Sequence, residues 1–125
     1  MEALGQHLLI ELYECDKDIL NDEKKVEHIL VSAAENCGAT VLKTSSHKFS
    51  PHGVSAIVVI AESHLSIHTW PEYNYAAGDV FTCGTVLKPE DAADYLVKEL
   101  KAKNFTLHEI KRGILKPHGA PLKYK

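Results

Sequence analysis

Cysteine is scarce in this chain. There are three, Cys15, Cys37 and Cys83, widely spaced and with no CxxC pair. An odd, scattered count fits a disulfide framework or a zinc site poorly. It fits free thiols in a reducing compartment, so a cytoplasmic location is expected. Basic runs are also missing: 14 Lys and Arg are interspersed with 17 acids, for a formal net charge of −3, which leaves no electrostatic footprint for nucleic acid. The longest apolar run, AIVVIA at Ala56–Ala61, is far too short to cross a bilayer, so no membrane partner is expected. The opening MEALGQHLLIELYECD lacks the basic region, apolar stretch and small-residue cleavage site of a signal peptide. Repeats, low-complexity tracts and internal linkers are absent. With 125 residues, 45% of them hydrophobic, the expectation is a single domain over 1–125 with its own core.

What is present is periodicity. In GQHLLIELYEC, Leu8, Ile10 and Leu12 share one strand face and His7, Glu11 and Tyr13 the other. Asn21 or Asp22 can cap a helix whose apolar stripe is Val26, Ile29, Leu30, Ala33 and Cys37, with Gly38 as a left-handed stop. ATVLKTSSH, VSAIVVIA, HLSIHTW, GDVFTCG and FTLHEIK read as further strands. Pro89 suits the first turn of a second helix, with Ala92, Ala93, Leu96 and Leu100 as its buried stripe. The tail from Arg112 reads as irregular. The order β-α-β-β-β-β-α-β predicts an α+β two-layer sandwich, a split βαβ-like arrangement with two helices on one face of a mainly antiparallel sheet. The other face is left bare, and a second copy of the chain could cover it.

The chemistry-bearing stretch is IAESHLSIHTWPE, Ile60–Glu72. A strand that only fills a core does not need Glu62, Ser63, His64, His68 and Glu72 in such density. Taken singly, each has an ordinary role: Ser63 as a turn hydroxyl, Cys83 as a small buried hydrophobe, Glu72 as a solvated loop carboxylate. His64 and His68, four apart, could share a face and bind a metal, but no Cys or acid stands at a recognised ligand spacing from them. A Ser–His–acid hydrolase is disfavoured, because there is no G-x-S-x-G elbow and Ser63 does not lie on a strand-to-helix turn. Residue patterns alone leave the function open.

VSAIVVIAESHLSIHTWPE followed by DVFTCG resembles the short prokaryotic S-adenosylmethionine decarboxylases, which are pyruvoyl-dependent. LGQHLLIELYECD, HKFSPHGVS and the second helix extend the resemblance over nearly the whole chain, fading after Arg112. It implies self-cleavage at Glu62–Ser63 into 1–62 and 63–125. Ser63 Oγ attacks the preceding carbonyl to turn amide into ester. Loss of the Ser63 α-proton eliminates that ester, and hydrolysis of the resulting dehydroalanine gives a pyruvoyl group and ammonia. The resemblance makes His68 the processing base and Ser55 its assistant. The cofactor then comes from Ser63 itself, with no metal and no PLP. It forms a Schiff base with the substrate amine and withdraws electrons as CO2 leaves.

By the same resemblance, Cys83 donates the proton to carbon, Phe49 stacks on adenine and Glu72 accepts the ribose hydroxyls. The substrate would be S-adenosylmethionine, its product the aminopropyl donor for spermidine, and the sites would assemble across a homodimer. Asn74 stands where the family commonly has glycine, Gly78 where it has an apolar residue, and Ser66 where it has threonine. Three rivals remain: the same cofactor acting on arginine or ornithine, an unprocessed binding or regulatory relative, and a metal-binding protein using His64 and His68. Phe49 and Glu72 favour an adenosyl substrate over the first. Retention of Ser55, Ser63, His68 and Cys83 together disfavours the second.

Overall fold

In the computed structural model, which describes residues 3–115, the alternating segments become six strands of one antiparallel sheet. They are β1 (Gly5–Tyr13), β2 (Thr40–Lys48), β3 (Val54–Ala61), β4 (Ser63–Trp70), β5 (Tyr75–Cys83) and β6 (Asn104–Arg112), arranged β2-β3-β4-β5-β1-β6. Helices α1 (Lys17–Leu20), α2 (Glu23–Asn36) and α3 (Pro89–Glu99) complete the chain order, with a 3-10 turn at Pro71–Tyr73. The inward residues of the sheet, Leu8, Ile10, Leu12, Val58, Leu65, Ile67 and Val80, join Val26, Leu30, Leu96 and Leu100 in one core. Each such side chain, fully buried, contributes about 1.5–3 kcal/mol. This is the α+β two-layer sandwich expected from the sequence.

The local signals behave as their chemistry dictates. The Asp22 carboxylate accepts from Lys25 N and caps α2, and Gly38 follows the helix at φ +91°. Asn74 adopts the left-handed conformation (φ 52°), closing the turn before β5, and its side-chain amide donates to Cys15 O. Gly78 is more than a weak point in a strand. A methyl there would stand 3.3 Å from Ser66 O, so the bare backbone relieves a tight contact with neighbouring β4, while Leu96 Cδ1 of α3, at 4.0 Å, would be in ordinary contact. Three elements differ from expectation. β5 begins at Tyr75, three residues before the GDVFTCG segment, pairing there with Trp70 across the turn. The one-turn helix α1, capped by Asp16, is too short to carry a periodic signal. β6 runs through Arg112, which the sequence places in an irregular tail, because pairing with Gly5 extends the ladder by one residue. Residues 116–125 of that tail lie outside the described residues.

The helices cover one face only. On the other, Ile57, Val59, Trp70, Leu9, Tyr13 and Ile110 are exposed large apolar side chains, set among histidines and acids. No helix of the described residues is long and apolar enough to cross a membrane.

Candidate active site

β3 and β4 form a hairpin in which Ile60 pairs with Ser63, leaving only Ala61 and Glu62 at the tip. The bond expected to break therefore joins a turn residue to the first residue of a strand. The peptide leading into Glu62 is cis. Across the tip, Cys83 N donates to Glu62 O at 3.1 Å, and Ser63 Oγ lies 3.8 Å from Cys83 Sγ. Thus the carbonyl that Ser63 would attack already has a backbone donor on its oxygen, and the thiol stands beside the same hydroxyl. Cys83 remains partly accessible, whereas Cys15 and Cys37 are buried. Burial pushes the Cys15 thiol up to about 11 and raises Cys37 as well, so neither is a nucleophile.

The other candidates gather at the opposite end of β4. Ser55 pairs in register with His68, and Ser55 Oγ is 2.7 Å from His68 Nδ1. Next to them a cavity of about 290 Å³ is lined by Phe49, His52, Ser55, His68, Trp70 and Glu72. Its loop is fixed by Gly53 N donating to Asn21 Oδ1 and Phe49 N donating to Gly53 O. His52 Nε2 lies 3.4 Å from Glu72 Oε1. A second hollow of about 370 Å³ shares Ser55 and His68 and continues over the bare sheet face to Ser66 and His64. A larger one, about 610 Å³, lies elsewhere among residues of mixed charge such as Asp16, Lys17 and Lys103, and contains no candidate residue.

The predicted constellation is therefore two clusters within one chain: Glu62, Ser63 and Cys83, and separately Ser55, His68, Phe49 and Glu72. Five residues of extended strand separate Ser63 from His68, roughly 16 Å. His68 cannot touch Ser63 of its own chain.

His64, read from sequence as a possible metal partner of His68, belongs to a different group. Asp79 Oδ2 lies 2.5 Å from His7 Nε2 and 2.9 Å from His64 Nε2, and Ser66 Oγ donates to the other oxygen. Burial pushes the Asp79 carboxyl up, but these three bonds more than offset it and hold the pKa below the ordinary value. His7, His64 and Asp79 are close enough to surround a cation. The hydrogen bonds favour another state. Arg112 Nη1 donates to His7 Nδ1 at 3.0 Å, so that nitrogen is an acceptor and the ring proton sits on Nε2, pointed at Asp79. A metal would need that proton removed. Alternation had put His7 on the polar face, but its partners lie 72 and 105 residues away and no spacing rule finds them.

The chain matches the family model described as S-adenosylmethionine decarboxylase over residues 6–113. It is 56% identical over 115 residues to the S-adenosylmethionine decarboxylase proenzyme of Carboxydothermus hydrogenoformans, covering 92% of this chain and 91% of that one. It is 51% identical over 125 residues to the proenzyme of Thermodesulfovibrio yellowstonii, covering 100% and 93%. The crystal structure of the adenosylmethionine decarboxylase from Aquifex aeolicus superposes with a TM-score of 0.87 at 34% identity, covering 97% of this chain and 100% of that one. The chain belongs to the S-adenosylmethionine decarboxylase family.

Proposed function

We propose that this chain is a self-processing S-adenosylmethionine decarboxylase of the cytoplasm, making the aminopropyl donor for spermidine. Its pyruvoyl group comes from Ser63 on cleavage into 1–62 and 63–125. The observation that carries this reading is the hairpin tip, where Cys83 N–H already holds Glu62 O at 3.1 Å beside the Ser63 hydroxyl. Attack by Ser63 Oγ moves negative charge onto that oxygen, and a preorganised backbone donor stabilises it. The pyruvoyl carbonyl supplies the electron sink for decarboxylation. Cys83 Sγ, 3.8 Å from Ser63 Oγ, is placed to return a proton to the substrate carbon. Phe49 and Glu72, which line one cavity, suit an adenine ring and a ribose diol. That pairing favours an adenosyl substrate over arginine or ornithine.

The active unit is a homodimer that buries the bare sheet faces. The middle of the Ser63–His68 stretch of β4 falls between Leu65 and Ser66. A two-fold axis through that middle brings His68 and Ser55 of one copy over the Glu62–Ser63 bond of the other. It also brings the Phe49 and Glu72 cavity of one copy to Cys83 of its partner. Each site then takes its nucleophile and thiol from one chain and its imidazole and adenosine pocket from the other. Exposed Ile57, Val59 and Trp70 supply apolar area for such a contact.

Intact mass under denaturing conditions tests the reading. Two masses, 1–62 and a 63–125 fragment lighter by ammonia than a serine-ended peptide, are expected. A single uncut mass persisting on incubation refutes self-processing and with it the enzyme.

A further inference from the structure

Gly5 pairs in register with Cys83 on one side and Arg112 on the other, so the last rung of the sheet reads Cys83, Gly5, Arg112. Directly opposed residues share a sheet face. The thiol and the guanidinium thus lie on one side, with no side chain between them. A Cβ at Gly5 would stand 2.7 Å from Phe81 Cε1 and 3.4 Å from Cys83 Sγ, so both groups lean over the glycine. Arg112 closes the other side, its Cζ 5.4 Å from the Phe81 ring centroid. Its Nη1 donates to His7 Nδ1, whose Nε2–H is bound in turn by Asp79, and the His7 ring stacks on Phe81 at 4.9 Å. These contacts hold the guanidinium in one orientation. Among the described residues the bond to His7 is the hydrogen bond found for it, and a guanidinium has five donors.

A guanidinium held in one orientation on the rung of the reacting bond, and open to solvent, can receive an anion. On the reading above, the substrate carries one such group beside the reacting amine. We propose that Arg112 recognises the substrate's α-carboxylate, with His7 and Asp79 as the positioning residues that aim it. This inference rests on the decarboxylase reading. As CO2 leaves, charge departs from the carboxylate, so a cation there binds the ground state more than the transition state. Arg112 therefore contributes to KM rather than to kcat. The decarboxylated product lacks the group and gains nothing from Arg112, which favours its release.

The experiment compares wild type with Arg112→Ala, Arg112→Gln and Arg112→Lys, measuring cleavage by mass, steady-state kinetics with S-adenosylmethionine, and inhibition by decarboxylated S-adenosylmethionine. All three variants are expected to cleave. Ala and Gln raise KM roughly 10- to 100-fold, kcat changes far less, and the inhibition constant of the product stays at the wild-type value. Lys restores part of the affinity, since it keeps the charge but not the fork. Equal loss of affinity for both ligands overturns the inference and makes Arg112 structural, and an unchanged KM overturns it as well. A wild-type chain that neither cuts nor decarboxylates overturns the reading beneath it.

Discussion

The roughly 16 Å between Ser63 and His68 along β4 leads to a sharp prediction for mixed dimers. A base must come within about 3 Å of the proton it moves. Alone, Ser63→Ala has no nucleophile, and His68→Ala should process about 10²- to 10⁴-fold more slowly. When the two variants are co-expressed with distinguishable tags, random pairing makes about half of the dimers mixed. Each mixed dimer holds one doubly broken site and one whole site, the latter using Ser63 of the His68→Ala chain and His68 of the Ser63→Ala chain. Mass spectrometry should find about half of the His68→Ala chains cut and no Ser63→Ala chain cut. Decarboxylase activity should reach about a quarter of wild type. Native mass spectrometry gives the mixed fraction directly. Mixed dimers that form but remain uncut would falsify the two-chain site.

Three further outcomes follow from the geometry. Thr69, buried, accepts from Val54 N at 2.9 Å and donates to Leu20 O at 2.7 Å. Thr69→Val keeps the volume but strands both groups, and urea unfolding should show a loss of roughly 2–3 kcal/mol. With burial raising the thiol pKa of Cys15 and Cys37, iodoacetamide at pH 8 should leave both unlabelled in native protein and label both in urea, as read by peptide mass. Asp79 has a folded pKa below its ordinary 3.8. Its stabilisation is present above that value and is lost as pH falls toward the lower folded pKa. Asp79→Asn should therefore flatten the stability profile in acid, from about pH 3.8 downward toward the lower folded pKa, in denaturant melts.

The strands and the two longer helices were legible because each is written locally, whereas the single turn of α1 was not. Leu8, Ile10 and Leu12 alternate, Asp22 and Gly38 bracket α2, and Pro89 opens α3. Pairing was not legible, because a strand's sequence does not name its neighbour. Nothing local puts β1 between β5 and β6, and that placement alone assembles the Cys83, Gly5, Arg112 rung. Ser63, His68 and Cys83 stand out as residue types near a hairpin, yet their division into two clusters depends on the rise of the strand. His64 shows the limit clearly. Spacing suggested His68 as its partner, and the sheet gave it Asp79 instead.

The strand order also governs what happens to the pieces after cleavage. Residues 1–62 contribute β1, β2 and β3, and residues 63–125 contribute β4, β5 and β6. In β2-β3-β4-β5-β1-β6 the strands of the two fragments interleave, with β1 clasped on both edges by strands of the other piece. Breaking one bond at the hairpin tip would leave every ladder intact, and the fragments could part only by tearing three strand pairings at once. The native chain forms by a unimolecular reaction, but its severed halves would have to find each other in solution, so recovery after denaturation should depend on protein concentration.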